Sequence, residues 1–94
     1  MNKKNLSTEE IFVLAFKNHQ KNNFREAENL YNEILKINPN HFKSIFYLGS
    51  LLAQTRNFEK AKQLFQKAVQ IQPNYAEAYN NLGYSFKELG QLAK

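Results

Sequence analysis

Residues 42–75 read FKSIFYLGSLLAQTRNFEKAKQLFQKAVQIQPNY, and the 34 residues before them, 8–41, read TEEIFVLAFKNHQKNNFREAENLYNEILKINPNH. Laid over one another, the two stretches share eleven identities: Ile11/Ile45, Phe12/Phe46, Leu14/Leu48, Gln20/Gln54, Asn23/Asn57, Phe24/Phe58, Ala27/Ala61, Leu30/Leu64, Ile37/Ile71, Pro39/Pro73 and Asn40/Asn74. A fixed period of this length marks supersecondary units that stack, because no single unit can bury its apolar face alone. A third unit opens at Ala76, pairs Leu82 with Leu48 and Gly83 with Gly49, and reaches Lys94 after little more than half a period.

Each unit reads as two helices. Ile45, Leu48, Gly49 and Leu52 recur at helical spacing, as do Ile11, Leu14 and Ala15 in the first unit and Tyr79, Leu82, Gly83 and Phe86 in the third. Polar turns follow at Lys21-Asn22-Asn23 and Thr55-Arg56-Asn57, and the second helices carry Ala27, Leu30, Tyr31, Ile34 and Ala61, Leu64, Phe65, Ala68. Pro39 and Pro73 end them, since proline lacks the helical donor and disfavours a helical residue before it. Ser7 and Glu10 form a capping-box pattern, Asn74 and Glu77 offer a similar pairing, and Asn40 supplies a cap alone in the second unit. This pattern predicts helices near residues 8–20, 24–37, 41–54, 58–71 and 75–89 and no strand. The predicted fold class is all-α: an antiparallel helix-pair solenoid with two complete repeats (8–41, 42–75) and the first helix of a third (76–94), forming one domain over 1–94. Ala15 or Gly49 on the first helix and Ala27 or Ala61 on the second allow the two axes to come close, with Tyr31 and Phe65 filling the space beside the contact.

Composition bounds the chemistry. A 94-residue chain buries only roughly 60–65% of the surface that its unfolded form exposes, so stability must come from regular packing. Without Cys, a disulfide framework, a thiolate metal site and a Cys nucleophile are excluded; without Asp, so is the usual Ser-His-Asp triad. Gly49, Gly83 and Gly90 are isolated and form no phosphate-binding loop, and His19 and His41 are too far apart for a local metal pair. The expectation is therefore no enzyme, no cofactor and no metal. The net charge of +5 comes from basic residues scattered among eight Glu, with no base-reading motif, so no specific nucleic-acid partner is expected. No apolar run approaches the ~18 residues of a membrane span, and the polar N-terminus lacks a signal-type core; a cytoplasmic location and no membrane partner are expected.

The residues Ile45, Leu48, Gly49, Ala61, Phe65, Ala68 and Pro73, with Ile11, Leu14, Ala15, Ala27, Tyr31, Ile34 and Pro39 in the first unit, resemble the tetratricopeptide repeat family across residues 8–94. The chain departs from the family pattern at Ile34, where a small residue is usual, and at Asn18, where a large apolar one is. The resemblance implies a protein-interaction module that binds a peptide or helix of a partner in a groove lined by the first helices. The matching groove positions include Phe12, Phe16 and His19 in the first unit, Lys43, Phe46 and Ser50 in the second, and Asn80, Tyr84 and Lys87 in the third. Aromatic residues there offer large contact area at low entropic cost, although Phe12 and Phe46 could instead pack between neighbouring first helices. Chaperone-binding members use a Lys, Arg and Asn clamp for a terminal carboxylate, and the positions held here by Phe12, Phe16, Phe46, Ser50, Asn80 and Tyr84 disfavour it. Members attached to protein glycosyltransferases use an Asn ladder, of which only Asn81 is present, with Val13 and Tyr47 at the other rungs. The alternative is a structural spacer or self-assembly unit.

The third unit stops before its second helix, so the chain is expected to be the N-terminal piece of a longer protein. Its fifth helix carries Tyr79, Leu82, Phe86 and Leu89 at helical spacing, a stripe that the absent helix would partly cover. Self-association through that stripe is the expectation, by symmetric pairing or exchange of the fifth helix, with head-to-tail stacking onto the first helix as the open-ended alternative. The close helix crossing makes a first prediction: Ala61→Leu overpacks it and lowers unfolding free energy by roughly 1–3 kcal/mol in urea denaturation.

Overall fold

The structure, a computed structural model, describes residues 6–92. Five helices follow one another: α1 (Thr8–Gln20), α2 (Phe24–Ile37), α3 (Phe42–Gln54), α4 (Phe58–Ile71) and α5 (Ala76–Leu92), with no strand among the described residues. α1 packs on α2, α3 on α4, and each second helix on the next first helix. The first helices also touch one another, α1 with α3 and α3 with α5, whereas α2 and α4 stand further apart. The array therefore curves with α1, α3 and α5 on its inner side.

Helix ends show what local chemistry sets the turns. Ser7 and Glu10 form the reciprocal capping box, each backbone N–H bonded by the other's side chain at 3.0 and 3.1 Å. α3 corrects the expected cap: it begins after His41, whose Nδ1 accepts from the Ser44 backbone N–H at 3.2 Å, while Asn40 instead closes an Asx turn onto Asn38. α5 likewise begins after Tyr75, whose carbonyl accepts from Ala78 and Tyr79, and Asn74 lies one residue further out than expected. Both turns between paired helices are Schellman motifs. Asn22 and Arg56 take the left-handed conformation (φ 65° in each), and Asn23 and Asn57 bond back to the carbonyls of Asn18 and Leu52. Asn tolerates this backbone; Arg does so at a steric cost. Arg56 gains two contacts in return, its guanidinium lying 5.3 Å from the Phe58 ring centre and 3.8 Å from a Glu88 carboxylate oxygen.

The core runs along the seam between first and second helices. Ala15, Ala27, Tyr31, Ile34, Ile45, Ala61, Phe65 and Ala68 are fully buried. Gly49 shows why a small residue is needed there: a Cβ at this position would lie 2.9 Å from Cε1 of Phe65. Leu14 departs from the sequence expectation. It is 39% exposed although its counterpart Leu48 is buried, because Leu48 is covered from the side of α2 and no described helix lies on that side of α1. The glycines make the second prediction. Gly49→Ala drives a methyl group into a buried ring and destabilises by about 1 kcal/mol, whereas Gly83→Ala meets nothing within 4 Å and stabilises by roughly 0.5–1 kcal/mol through helix propensity. Thermal melts of the two variants should shift in opposite directions.

Candidate binding face

The inner side of the array carries a continuous lattice of rings. Phe12 stacks on Phe16 (centroids 6.1 Å apart), both approach Tyr47 (5.8 and 5.1 Å), and Tyr47 meets Phe46 edge-on at 5.2 Å. Phe46 continues to Tyr75 and Phe42 at 5.2 and 6.2 Å. The lattice repeats with the chain. Phe12 rests on Tyr31 and His41, and 34 residues later Phe46 rests on Phe65 and Tyr75. Each inner ring is thus propped by the second-helix aromatic and by the residue that precedes the next first helix. Such offset and edge-on contacts add about 0.5–1.5 kcal/mol per pair beyond area burial.

This propping divides the expected groove residues. Phe46 is only 4% exposed, so it belongs mainly to the core and shows the inner side no more than an edge. Phe12 and Phe16 are half-buried, with edges open to the inner side, and Tyr84 is 51% exposed, edge-on to Phe58 at 5.8 Å. Lys43 is exposed and holds its Nζ 5.8 Å over the Phe12 ring. Ser50 is half-buried and donates its hydroxyl to the Phe46 carbonyl at 3.1 Å. Two clefts collect these residues. One, of 450 Å³, is walled by Ser50, Gln54, Phe58, Asn81 and Tyr84; the other, of 410 Å³, by Glu9, His41, Lys43, Phe46, Tyr47 and Tyr75. Asn80 and Lys87 are exposed but line neither cleft. A larger depression of 620 Å³ over α2, lined by Glu26, Asn29, Asn32 and Lys36 among others, is polar and away from the rings.

Tyr47 also stands among the inner rings, although its sequence position suggested only a ladder rung. It touches Phe12, Phe16 and Phe46 and joins the ring sets of the two complete repeats. Its signal in the sequence was its position, one residue after each repeat's inner Phe, at the rung where an Asn ladder would run. His19, expected on the groove, bridges three helices. Its Nδ1 is 3.0 Å from the Tyr31 hydroxyl of α2, and its Nε2 bonds Gln54 Oε1 of α3. The arrangement fits one tautomer, in which the Tyr31 hydroxyl donates to Nδ1 and Nε2–H donates to the Gln54 amide oxygen. His41 ties α3 to α1, with Nε2 3.5 Å from a Glu9 oxygen. Of the stripe expected to drive self-association, Leu82 packs against the core and Leu89 is half-buried, while Tyr79 and Phe86 are 47% and 50% exposed.

Among the described residues no cluster of three or more His and Glu is placed to hold a metal ion, and no helix is long and apolar enough to cross a membrane.

Curved stacking of helix pairs with the inner side built from first helices defines a helical-repeat interaction protein. Family models agree in three overlapping segments: two described as tetratricopeptide repeat match residues 18–41 and 30–63, and one described as TPR repeat matches 49–90. The chain belongs to the tetratricopeptide repeat family. Solved structures of MamA share the fold. MamA 41-end from Desulfovibrio magneticus RS-1 superimposes with a TM-score of 0.86 at 23% identity over 93% of this chain and 49% of its own. MamA of AMB-1 gives 0.82 at 24% identity over 89% and 46%. The chain thus spans about half the length of these structures. No curated protein matches the sequence.

The bridge from Tyr31 makes the third prediction. Burial, with the nearby Tyr47 hydroxyl adding to it, raises the Tyr31 pKa above its ordinary 10.0. The folded state then holds this proton more tightly than the unfolded chain, so the contribution is intact below pH 10 and is lost as pH rises further. Denaturant titrations should show stability falling above about pH 10, less so in Tyr31→Phe. At neutral pH His19→Ala leaves the buried hydroxyl without a partner and costs roughly 1–3 kcal/mol, and the double variant costs less than the two single changes added together.

Proposed function

We propose that the inner face binds an extended segment of a partner protein, with an apolar side chain of that segment seated against Tyr84 and a second against Phe16 and Tyr47. The supporting observation is the exposed Tyr84 ring at the wall of a 450 Å³ cleft that also presents the side-chain amides of Gln54 and Asn81. Rings supply contact area, and amides supply donors and acceptors for a peptide backbone, which is the pairing an extended ligand requires. Charges along the face are mixed, with Glu9 and Glu77 against Lys43 and Lys87. That balance favours an apolar anchor over a strongly charged one.

Protein interaction as such follows from the repeat family; the groove and its ligand are the finer reading. The test is selection of peptides from a displayed random library on the chain. Tyr84→Ala and Phe16→Ala should each weaken the selected peptides by about tenfold or more, the effect expected of a buried aromatic anchor, with helical circular dichroism unchanged. Peptides that bind both variants as tightly as the parent would place recognition elsewhere.

A further inference from the structure

We infer, on the reading that the inner face binds an extended segment, that this segment is proline-rich and lies in the groove as a polyproline II helix. What selects it is the kind of polar group that the inner rings carry. The hydroxyls of Tyr47, Tyr75 and Tyr84 are bonded to no other described residue, and all three rings wall the two clefts. Desolvation, then the Glu77 carboxylate and the Tyr47 hydroxyl, raise the Tyr75 pKa, so this phenol keeps its proton and donates at neutral pH. Gln54 adds a donor of its own. Its Oε1 already accepts from His19 Nε2–H, which leaves its NH2 as the group free to bond. Lys43, in the other cleft, can only donate. Acceptors are scarcer: Glu9 faces His41 Nε2 at 3.5 Å, so the open ones are chiefly the amide oxygens of Asn81 and Gln72.

A groove of rings and donors fits a chain that offers rings and acceptors and few donors. An ordinary extended strand brings an N–H with each residue and finds few acceptors here, whereas proline has no N–H to satisfy. In polyproline II the carbonyls make no internal bonds and stand free to accept, and the conformation is set before binding. The receiving rings are set in advance too. Tyr75 meets Phe42 and Phe46 edge-on at 5.0 and 5.2 Å, and Tyr47 meets Phe46 at 5.2 Å. Spacing agrees with the same ligand. Tyr47 and Gln54 lie two turns apart on one face of α3, about 10.5 Å along its axis, close to the ~9.3 Å rise of one polyproline II turn. Prolines three residues apart therefore set one ring against Tyr47 and Tyr75 and the next against Tyr84. Such a segment is uncharged, which suits a face where Glu9 and Glu77 stand against Lys43 and Lys87.

The probe is fluorescently labelled decaproline, blocked at both ends and titrated onto the whole chain, with binding followed by anisotropy. It should bind saturably. Tyr84→Ala should weaken it by about tenfold or more, and Tyr47→Phe and Tyr75→Phe, which remove only a hydroxyl, by about threefold to tenfold each. Those hydroxyls serve no bond within the described chain, so both Phe variants should melt like the parent. Two results would overturn the inference: no saturation up to millimolar decaproline, or an affinity indifferent to all three substitutions. Selection from the random library separates this failure from failure of the groove itself. Selected peptides that depend on Tyr84 and contain no proline would keep the groove and remove the proline-rich ligand. Absence of both decaproline binding and Tyr84-dependent peptides would remove the two together.

Discussion

A flat ring set into the hollow over a residue that is nearly all backbone holds each helix pair together. Phe65 over Gly49 shows it most directly, with less than 3 Å between the ring and the place a methyl group would occupy. Tyr31 and Ala15, both fully buried, hold the same positions one repeat earlier. The contact works because backbone and ring are both flat and stiff, so they meet over many atoms with little rotamer entropy lost. It also sets the height at which everything on the inner side stands. Phe12 leans on Tyr31 and Phe46 on Phe65, so a change at the second-helix ring reaches the inner face through one layer of side chains.

The two complete repeats treat that ring differently, and the difference decides how α1 is tied to α3. Phe65 is wholly apolar, and the positions that match His19 and Gln54 are Ala53 in its own repeat and Glu88 in the next. Tyr31 buries a hydroxyl that must find a partner, and His19 supplies one while reaching Gln54 on the next repeat. His41 does the same at the opposite end of α1, capping α3 through Ser44 and meeting Glu9. No buried side-chain polar atom among the described residues lacks a partner. The seam between the first two repeats is therefore fastened by the His19 bonds at one end and the His41–Glu9 contact at the other, whereas α5 is held by packing, by the Arg56–Glu88 pair and by Lys62 over the Phe86 ring. Polar bonds that fit only one arrangement fix register, and apolar contacts supply most of the energy.

Local pattern made the helices legible. Period, proline and capping chemistry act within a few residues of where they are written, and all five expected helices lie within three residues of their observed ends. Burial was legible only where a repeat has neighbours on both sides. Leu14 reads like Leu48 in sequence and differs from it in exposure, because cover comes from the preceding helix and not from the residue's own periodicity. Phe46 and Phe12 read alike too, and again position in the array separates them: Phe42 and Tyr75 enclose Phe46, while Phe12 has Phe16, an inner-face ring open at its edge. His41 displaced Asn40 as the α3 cap because a side chain one residue closer could reach the Ser44 N–H. Arg56 gave no local sign of its left-handed backbone; only its match to Asn22 carries that information.

A consequence follows for how such a face can acquire ligands without losing its fold. The inner rings that repeat, Phe12 and Phe46, are braced against second-helix aromatics, so altering them costs packing as well as contact area. Rings that break the repeat are different. Phe16 has Ser50 and Tyr84 at its matching positions, and Tyr47 has Val13 and Asn81. Those positions vary from bulky to small to polar within one chain while the helix pairs around them keep their spacing. Where few rings meet, as at Ser50 and Tyr84, side chains can change with less loss of packing than at Tyr47, and Ser50, Asn81 and Tyr84 together wall the 450 Å³ cleft. The inner face of this fold thus varies at residues that the repeat does not need, standing on residues that it does.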